Sequence, residues 1–265
     1  MFGRKCSVIG VVHLPPLPGS AGFKGGIDGI LATALSDALT YKENGVDALL
    51  VENMHDVPYL KGFVYPETTA TMTVVARALK YECQLPLGLQ LLAGANMEAL
   101  GAAVAADIDF IRVEGYVYAH IGDEGLHESC AAALIRKRAN LHAERIKIFA
   151  DVKKKHSSHA ITSDISLEDT ARDAEFFKAD GVIVSGMSTG HAPDPSELRA
   201  VRSSVACHVL VGSGVTADNV HQFTPNADAL IVGSSLKFDG HWRNEVDPAR
   251  VERLMKTIEK KMVAV

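Results

Sequence analysis

The chain has 265 residues, 47% of them hydrophobic and 22% charged, with a formal net charge of −5 at pH 7. That balance suits a globular protein with a sizeable core. It gives no electrostatic reason to expect a nucleic-acid polymer or an anionic membrane as partner, so an anionic ligand would need a local positive site.

No apolar run reaches the roughly 18 residues that mark a membrane span. The four cysteines (Cys6, Cys83, Cys130 and Cys207) are scattered, with no C-x-x-C pair. They read as reduced thiols of an intracellular protein. The first strand-like run begins at Ser7, which leaves no room for a signal or transit peptide before it. The expected location is the cytoplasm, with an organelle (mitochondrion or plastid) as the alternative if the chain is a mature form.

Along the chain, short β-branched runs alternate with helical patterns. The first run, 7–14 (SVIGVVHL), precedes a helix over 29–44, with Leu31, Ala34, Leu35 and Ala38 at helical spacing and Gly45 as its stop. Runs at 48–52, 86–91 and 110–114 precede helices over 66–81, 97–106 and 126–140. The fifth run, 146–153, leads to a helix opening at Ser166, where Asp169 completes an acidic capping box. The sixth, 181–185, precedes a helix over 195–203. The seventh, 208–212, precedes a helix beginning near Thr216. The eighth, 229–233, precedes a closing helix that starts at Asp247-Pro248 and carries the stripe Val251, Leu254, Met255, Ile258 and Met262. Eight strand–helix units in one chain of this length predict an α/β fold, a single (β/α)8 TIM barrel spanning residues 1–265. The chemistry of such a fold belongs at the C-terminal ends of its strands.

Residues two apart on a strand share a face. Glu52 follows the parity of Leu50, Gln90 that of Gly88, Glu114 that of Arg112, and Lys153 and Lys155 that of Asp151 if the strand runs that far. Charges inside a barrel are costly unless paired or near its open mouth. Glu52, Arg112, Glu114, Asp151 and Lys153 therefore read as the polar floor of a cavity, or as an ion-pair network closing it. Asp151 and Glu114 are the first candidates for proton transfer, with Glu52 next. Lys153 or Lys155 would stabilise an oxyanion or form a Schiff base. His13, Asn53, Gln90, Arg112, Asp56, His156 and Ser185 are candidates to contact a substrate, as are Thr189 and Gly190 in the turn after the sixth run.

The seventh and eighth runs end in Gly212-Ser213-Gly214 and Gly233-Ser234-Ser235. Glycine lets backbone N–H groups approach an oxyanion, and a helix start at Thr216 would add a positive dipole end. These bends predict a phosphate site, since many such barrels hold a phosphoryl group after strands seven and eight. No cofactor is specified. A divalent metal on Glu52 and Asp56 with His13 or His55 is one alternative, although no metal-binding spacing such as H-E-x-x-H occurs. The expected partner is a small phosphorylated molecule, and barrel association leaves a homo-oligomer open.

Longer motifs also look familiar. VVHLPPLPGS (11–20), GVDALLVENMHDVP (45–58), ETTATMT (67–73), DFIRVEG (109–115), ADVKKKH (150–156), STG (188–190), VLVGSGVTADNV (209–220) and ALIVGSSLKFDG (229–240) resemble the BtpA/SgcQ family. The resemblance implies a barrel related to phosphate-binding barrels. It fixes no reaction: the family's namesake is associated with photosystem I biogenesis, and its relatives with carbohydrate utilisation. Two readings follow, a small-molecule enzyme (isomerase, lyase, or glycosyl hydrolase or transferase) and a non-catalytic assembly or stability factor.

Overall fold

The alternation of β-branched and helical segments resolves into a closed barrel in the structure, a computed structural model that describes residues 6–186 and 191–262, with side chains as far as 259. The strands in chain order are β1 (Ser7–His13), β2 (Ala48–Glu52), β3 (Leu87–Gln90), β4 (Phe110–Val113), β5 (His120–Gly122), β6 (Gly125–His127), β7 (Lys147–Val152), β8 (Ser157–Ser158), β9 (Gly181–Ser185), β10 (His208–Gly212) and β11 (Ala229–Val232). Eight of them close the barrel in the order β1-β2-β3-β4-β7-β9-β10-β11, and β11 pairs back with β1. The α-helices are α1 (Ile27–Glu43), α2 (Pro66–Cys83), α3 (Asn96–Ala106), α4 (Ala131–Asn140), α5 (Leu167–Phe176), α6 (Pro195–Ser204) and α7 (Pro248–Met262). Among the described residues, no helix is long and apolar enough to cross a membrane.

Strand alternation sorts the core into two layers. Ile9, Val11, Ala48, Leu50, Phe110, Phe149, Ile183, Leu210, Ala229 and Ile231 fill the barrel interior. The residues between them, such as Val8, Val12, Leu49, Val51, Val182 and Val209, pack outward against the helices. Gly88 makes room for an interior ring: a Cβ there would lie 2.1 Å from Phe110 Cε2. Every interior set, followed two residues toward the C-terminal mouth, reaches a polar side chain or a glycine.

Helix ends follow local chemistry. Ser166 caps α5 by accepting from Asp169 N–H at 3.0 Å, and its hydroxyl donates to Asp169 at 2.7 Å, as the capping box predicts. The stripe Val251, Leu254, Met255 and Ile258 of α7 is buried.

Two expected helices are corrected. The pattern over 126–140 yields only α4, because 120–127 forms the β5–β6 hairpin, with Gly125 at its bend in a left-handed conformation (φ 109°). β5 also pairs with β8, so the loops after β4 and β7 join in a small three-stranded sheet. The helix expected from Thr216 is a 3-10 turn, Val220–Gln222. Asn219 Oδ1 accepts from Thr216 N–H at 2.8 Å, which ties the segment into a local loop. Pro225 then disfavours helical backbone at Thr224.

Candidate functional site

The parity of the interior places His13, Glu52, Gln90, Arg112, Asp151 and Ser185 in one layer at the mouth, each at the last or next-to-last position of its strand. Arg112 lies at its centre. Its Nε is 2.8 Å and its NH2 2.9 Å from the two oxygens of Asp151, a bidentate pair, and its NH1 is 3.4 Å from Glu52 Oε1. Ser185 Oγ donates to Asp151 at 3.3 Å. Gly212 keeps this layer open: a Cβ there would lie 2.8 Å from Ile183 Cγ2 and 2.9 Å from Ser185 Oγ.

Asp151, a first candidate for proton transfer, is already engaged in this geometry. Both of its oxygens accept from Arg112, one of them from Ser185 as well, so Asp151 positions Arg112. The two glutamates keep proton-carrying chemistry open. Burial pushes Glu52 above the usual carboxylate range, opposed by Arg112 and Lys155. Burial does the same to Glu114, opposed chiefly by Lys154, whose Nζ is 3.4 Å from Glu114 Oε2. Gln90 Nε2 donates to Glu114 Oε1 at 3.1 Å, and Asn96 Nδ2 holds the Glu114 carbonyl at 2.7 Å.

His13 Nδ1 is 3.0 Å from the Trp242 carbonyl, so Nδ1 carries the hydrogen and donates. That leaves Nε2 as an acceptor, 3.7 Å from Glu52 Oε2. Burial, reinforced by Lys237, lowers the His13 pKa to about 3, so the ring is neutral in the cell's pH range. Lys237 is itself held by Asp37 at 3.0 Å.

Above this layer two adjoining cavities of about 260 and about 320 Å³ share Glu52, Met54, Arg112 and Lys155. The smaller lobe is lined by Ser213, Gly214, Gly233 and Ser234, with Arg250 from the first turn of α7. β10 and β11 are paired through Gly212 and Ile231, which sets the two glycine-bearing bends side by side. Gly214 is indispensable to its bend, since φ is +70° and a Cβ would meet Ala192 N at 2.0 Å. Without an α-helix at Thr216, the expected dipole end is absent, and the permanent positive charges of this lobe are Arg250 and Arg112. The larger lobe is lined by Gln90, Glu114, Asp123, Glu124, Lys154 and His156, with Tyr59 and Trp242 as aromatic walls.

Several expected site residues have other work. Lys153 leaves the strand in a left-handed conformation (φ 50°), which breaks the parity, and its Nζ donates to the Ile165 carbonyl at 2.7 Å. Lys154 thereby takes the inward place that parity gives to Lys153. Asn53 and Asp56 stay outside both lobes because buried backbone amides claim them. Asn53 Oδ1 accepts from Leu92 N–H at 2.7 Å, and Asp56 Oδ1 from Leu17 N–H at 2.8 Å. His55 Nδ1 is 2.7 Å from the Leu14 carbonyl, and its ring packs at a tilt of 38° against Trp242. Glu52, Asp56, His13 and His55 therefore do not converge, and among the described residues no group of three or more His, Cys, Asp or Glu is placed to hold a metal ion. Thr189 and Gly190 lie outside the described residues.

Lys154, Tyr59, Asp123, Glu124, Trp242 and Arg250 are among the lining residues that sequence reasoning missed. The lysine run 153–155 and the chain's single tryptophan were the available signals.

Fold and site together define a (β/α)8 barrel with a two-lobed polar cavity at the C-terminal mouth of its strands. The chain belongs to the BtpA family, whose model matches residues 4–260. It is 43% identical over 256 residues to the uncharacterized mitochondrial protein F13E9.13 of Caenorhabditis elegans, covering 95% of this chain and 92% of that one. It is 34% identical over 252 residues to the photosystem I biogenesis protein BtpA of Synechocystis, covering 95% and 87%. Among solved structures it resembles thiamine phosphate pyrophosphorylase from Pyrococcus furiosus, with a TM-score of 0.59 and 16% identity over 97% of this chain and 96% of that one. Phosphoribosylanthranilate isomerase from Thermotoga maritima gives a TM-score of 0.58 and 15% identity over 96% and 99%. At these identities the structural likeness carries the fold alone.

Proposed function

We propose that the protein is an enzyme acting on a small phosphorylated metabolite, a sugar or nucleoside-like phosphate. The phosphoryl group binds in the lobe formed by Ser213, Gly214, Gly233, Ser234 and Arg250, and the reacting carbons lie in the lobe of Glu52, Glu114 and Lys155. The observation that carries this reading is the shared wall: Glu52, Arg112 and Lys155 line both lobes, so one molecule can occupy both. Anchoring a remote group in one lobe would position the reacting atoms in the other. Burial raises Glu52 and Glu114 above the usual carboxylate range, which suits them to proton transfer. The neutral His13 Nε2 offers a further acceptor beside Glu52. The fold neighbours' names, which include thiamine phosphate and phosphoribosylanthranilate, support a phosphorylated ligand.

A second reading, a non-catalytic assembly factor, is favoured by the name of the Synechocystis relative. It leaves the buried charges of the cavity without a task. The mitochondrial relative supports an organelle beside the cytoplasm as the place of action.

The test is a thermal-shift screen of sugar phosphates and nucleotides against their unphosphorylated counterparts. A ligand at 100 times its dissociation constant adds about 2.7 kcal/mol, which for a chain of this length raises Tm by about 5 °C. No shift with any phosphorylated compound would count against the enzyme reading and for the assembly factor.

A further inference from the structure

We propose that Lys155 forms a covalent imine with the carbonyl carbon of a phosphorylated aldehyde or ketone held across the two lobes. The placement of the substrate rests on the phosphoryl reading above; the chemistry of the amine stands on the surroundings of Lys155 itself.

Three consecutive lysines follow β7, and two of them are occupied. Lys153 donates to the Ile165 carbonyl at 2.7 Å. Lys154 is buried with its Nζ 3.4 Å from Glu114 and 3.7 Å from Glu124. Lys155 differs from both. It lines both lobes, and among the described residues no carboxylate lies within the 4.0 Å of its Nζ that would make an ion pair. Its cationic neighbour on the shared wall, Arg112, is fixed by Asp151, and the wall's carboxylate, Glu52, is engaged by Arg112. A half-buried ammonium group without an ion-pair partner of its own, beside a permanent cation, is disfavoured relative to the neutral amine. Burial and Arg112 accordingly pull the Lys155 amine below the ordinary lysine value, with Glu52 and Asp151 opposing. An amine that faces the cavity and gives up its proton more readily than an ordinary lysine is a nucleophile for carbonyl carbon. An oxyanion stabiliser, by contrast, would need a firmly protonated one.

The step balances without oxidant or reductant. The Nζ lone pair attacks the carbonyl carbon, and the carbonyl oxygen takes a proton from the carboxyl group of Glu52 or Glu114. The nitrogen gives up one proton to the resulting carboxylate. The C–O bond of the carbinolamine then breaks, a second proton leaves with the oxygen as water, and C=N replaces C=O. The net change is amine plus carbonyl to imine plus water. A phosphoryl dianion in the smaller lobe would favour the charged amine, and Arg250 lies in that lobe to offset it.

The experiment is borohydride trapping on the full chain. The protein is incubated with ribose 5-phosphate, glyceraldehyde 3-phosphate or dihydroxyacetone phosphate, and in parallel with glyceraldehyde, then reduced with sodium borohydride and mapped by peptide mass spectrometry. The expected result is one stable adduct on Lys155 with at least one phosphorylated probe, lost in Lys155→Arg and retained in Lys153→Arg. Excess inorganic phosphate should suppress the phosphorylated probe's adduct and leave the glyceraldehyde adduct unchanged. Adducts spread over surface lysines, or none on Lys155 with any probe, would overturn the imine. If that failure came with a Tm increase from phosphorylated compounds, the phosphoryl reading would stand alone. Labelling of Lys155 by a phosphorylated probe that inorganic phosphate leaves untouched would keep the imine and sink the phosphoryl lobe.

Discussion

Replacing Arg112 with methionine, of similar length, removes the centre of the mouth layer. Its guanidinium makes two short contacts to Asp151, at 2.8 and 2.9 Å, and a third to Glu52 at 3.4 Å. The Arg112 and Asp151 side chains are only 6% and 2% exposed, so water cannot replace the lost donors. Breaking a buried pair by removing one partner costs about 3–5 kcal/mol, because the other charge is left uncompensated. For a chain of this length that lowers Tm by about 6–10 °C. Without Arg112, the Asp151 carboxylate is left buried without its partner. Arg112→Met/Asp151→Asn should therefore recover part of the deficit. Urea unfolding of wild type, both single variants and the double variant at pH 7.5 measures this. A deficit below about 1 kcal/mol at pH 7.5, the size of an exposed ion pair, would refute the reasoning.

Glu114→Gln separates stability from chemistry. Burial raises the Glu114 pKa, so its stability is present below the unfolded value of about 4.3 and lost as pH rises; urea midpoints should show the variant gaining on wild type from pH 4 to 7.5, while turnover, once a substrate is found, falls about 100- to 10,000-fold. His13 behaves in the opposite sense. Its pKa is lowered to about 3, so its stability is present above the unfolded value of about 6.5 and lost as pH falls from there toward the folded value. His13→Asn, which can still donate to the Trp242 carbonyl, should flatten that acid limb in a pH series of unfolding curves. Lys153→Ala should cost about 1 kcal/mol in urea unfolding from the lost bond to Ile165, and leave any ligand-induced Tm shift unchanged. Gly214→Ala should destabilise by about 1–3 kcal/mol, since its backbone and the approach of Ala192 both exclude a side chain, and abolish the Tm shift with phosphorylated ligands.

Most of the barrel was legible because strand period and helix period differ, and eight alternations fit one architecture. The mouth layer was legible for the same reason: parity from Leu50 reaches Glu52, and parity from Phe110 reaches Arg112 and Glu114. The reading failed where backbone leaves regular structure. The left-handed turn at Lys153 breaks the parity, so Lys154 stands where Lys153 was expected. Leu126 sits in a three-residue strand whose partner, His120–Gly122, carries no helical or strand period of its own. Asn53 and Asp56 have ligand-type side chains, but the amides of Leu92 and Leu17 are buried and need acceptors. Trp242 and Arg250 reach the cavity from a loop and a helix start far along the chain, a placement set only by closure of the barrel.

The phosphoryl lobe is tested most directly by a crystal structure grown in tungstate, a heavy mimic of phosphate. The account predicts a tungstate ion between the bends at Ser213-Gly214 and Gly233-Ser234, with the Arg250 guanidinium turned toward it. Tungstate bound elsewhere on the protein while that lobe holds only water would contradict it.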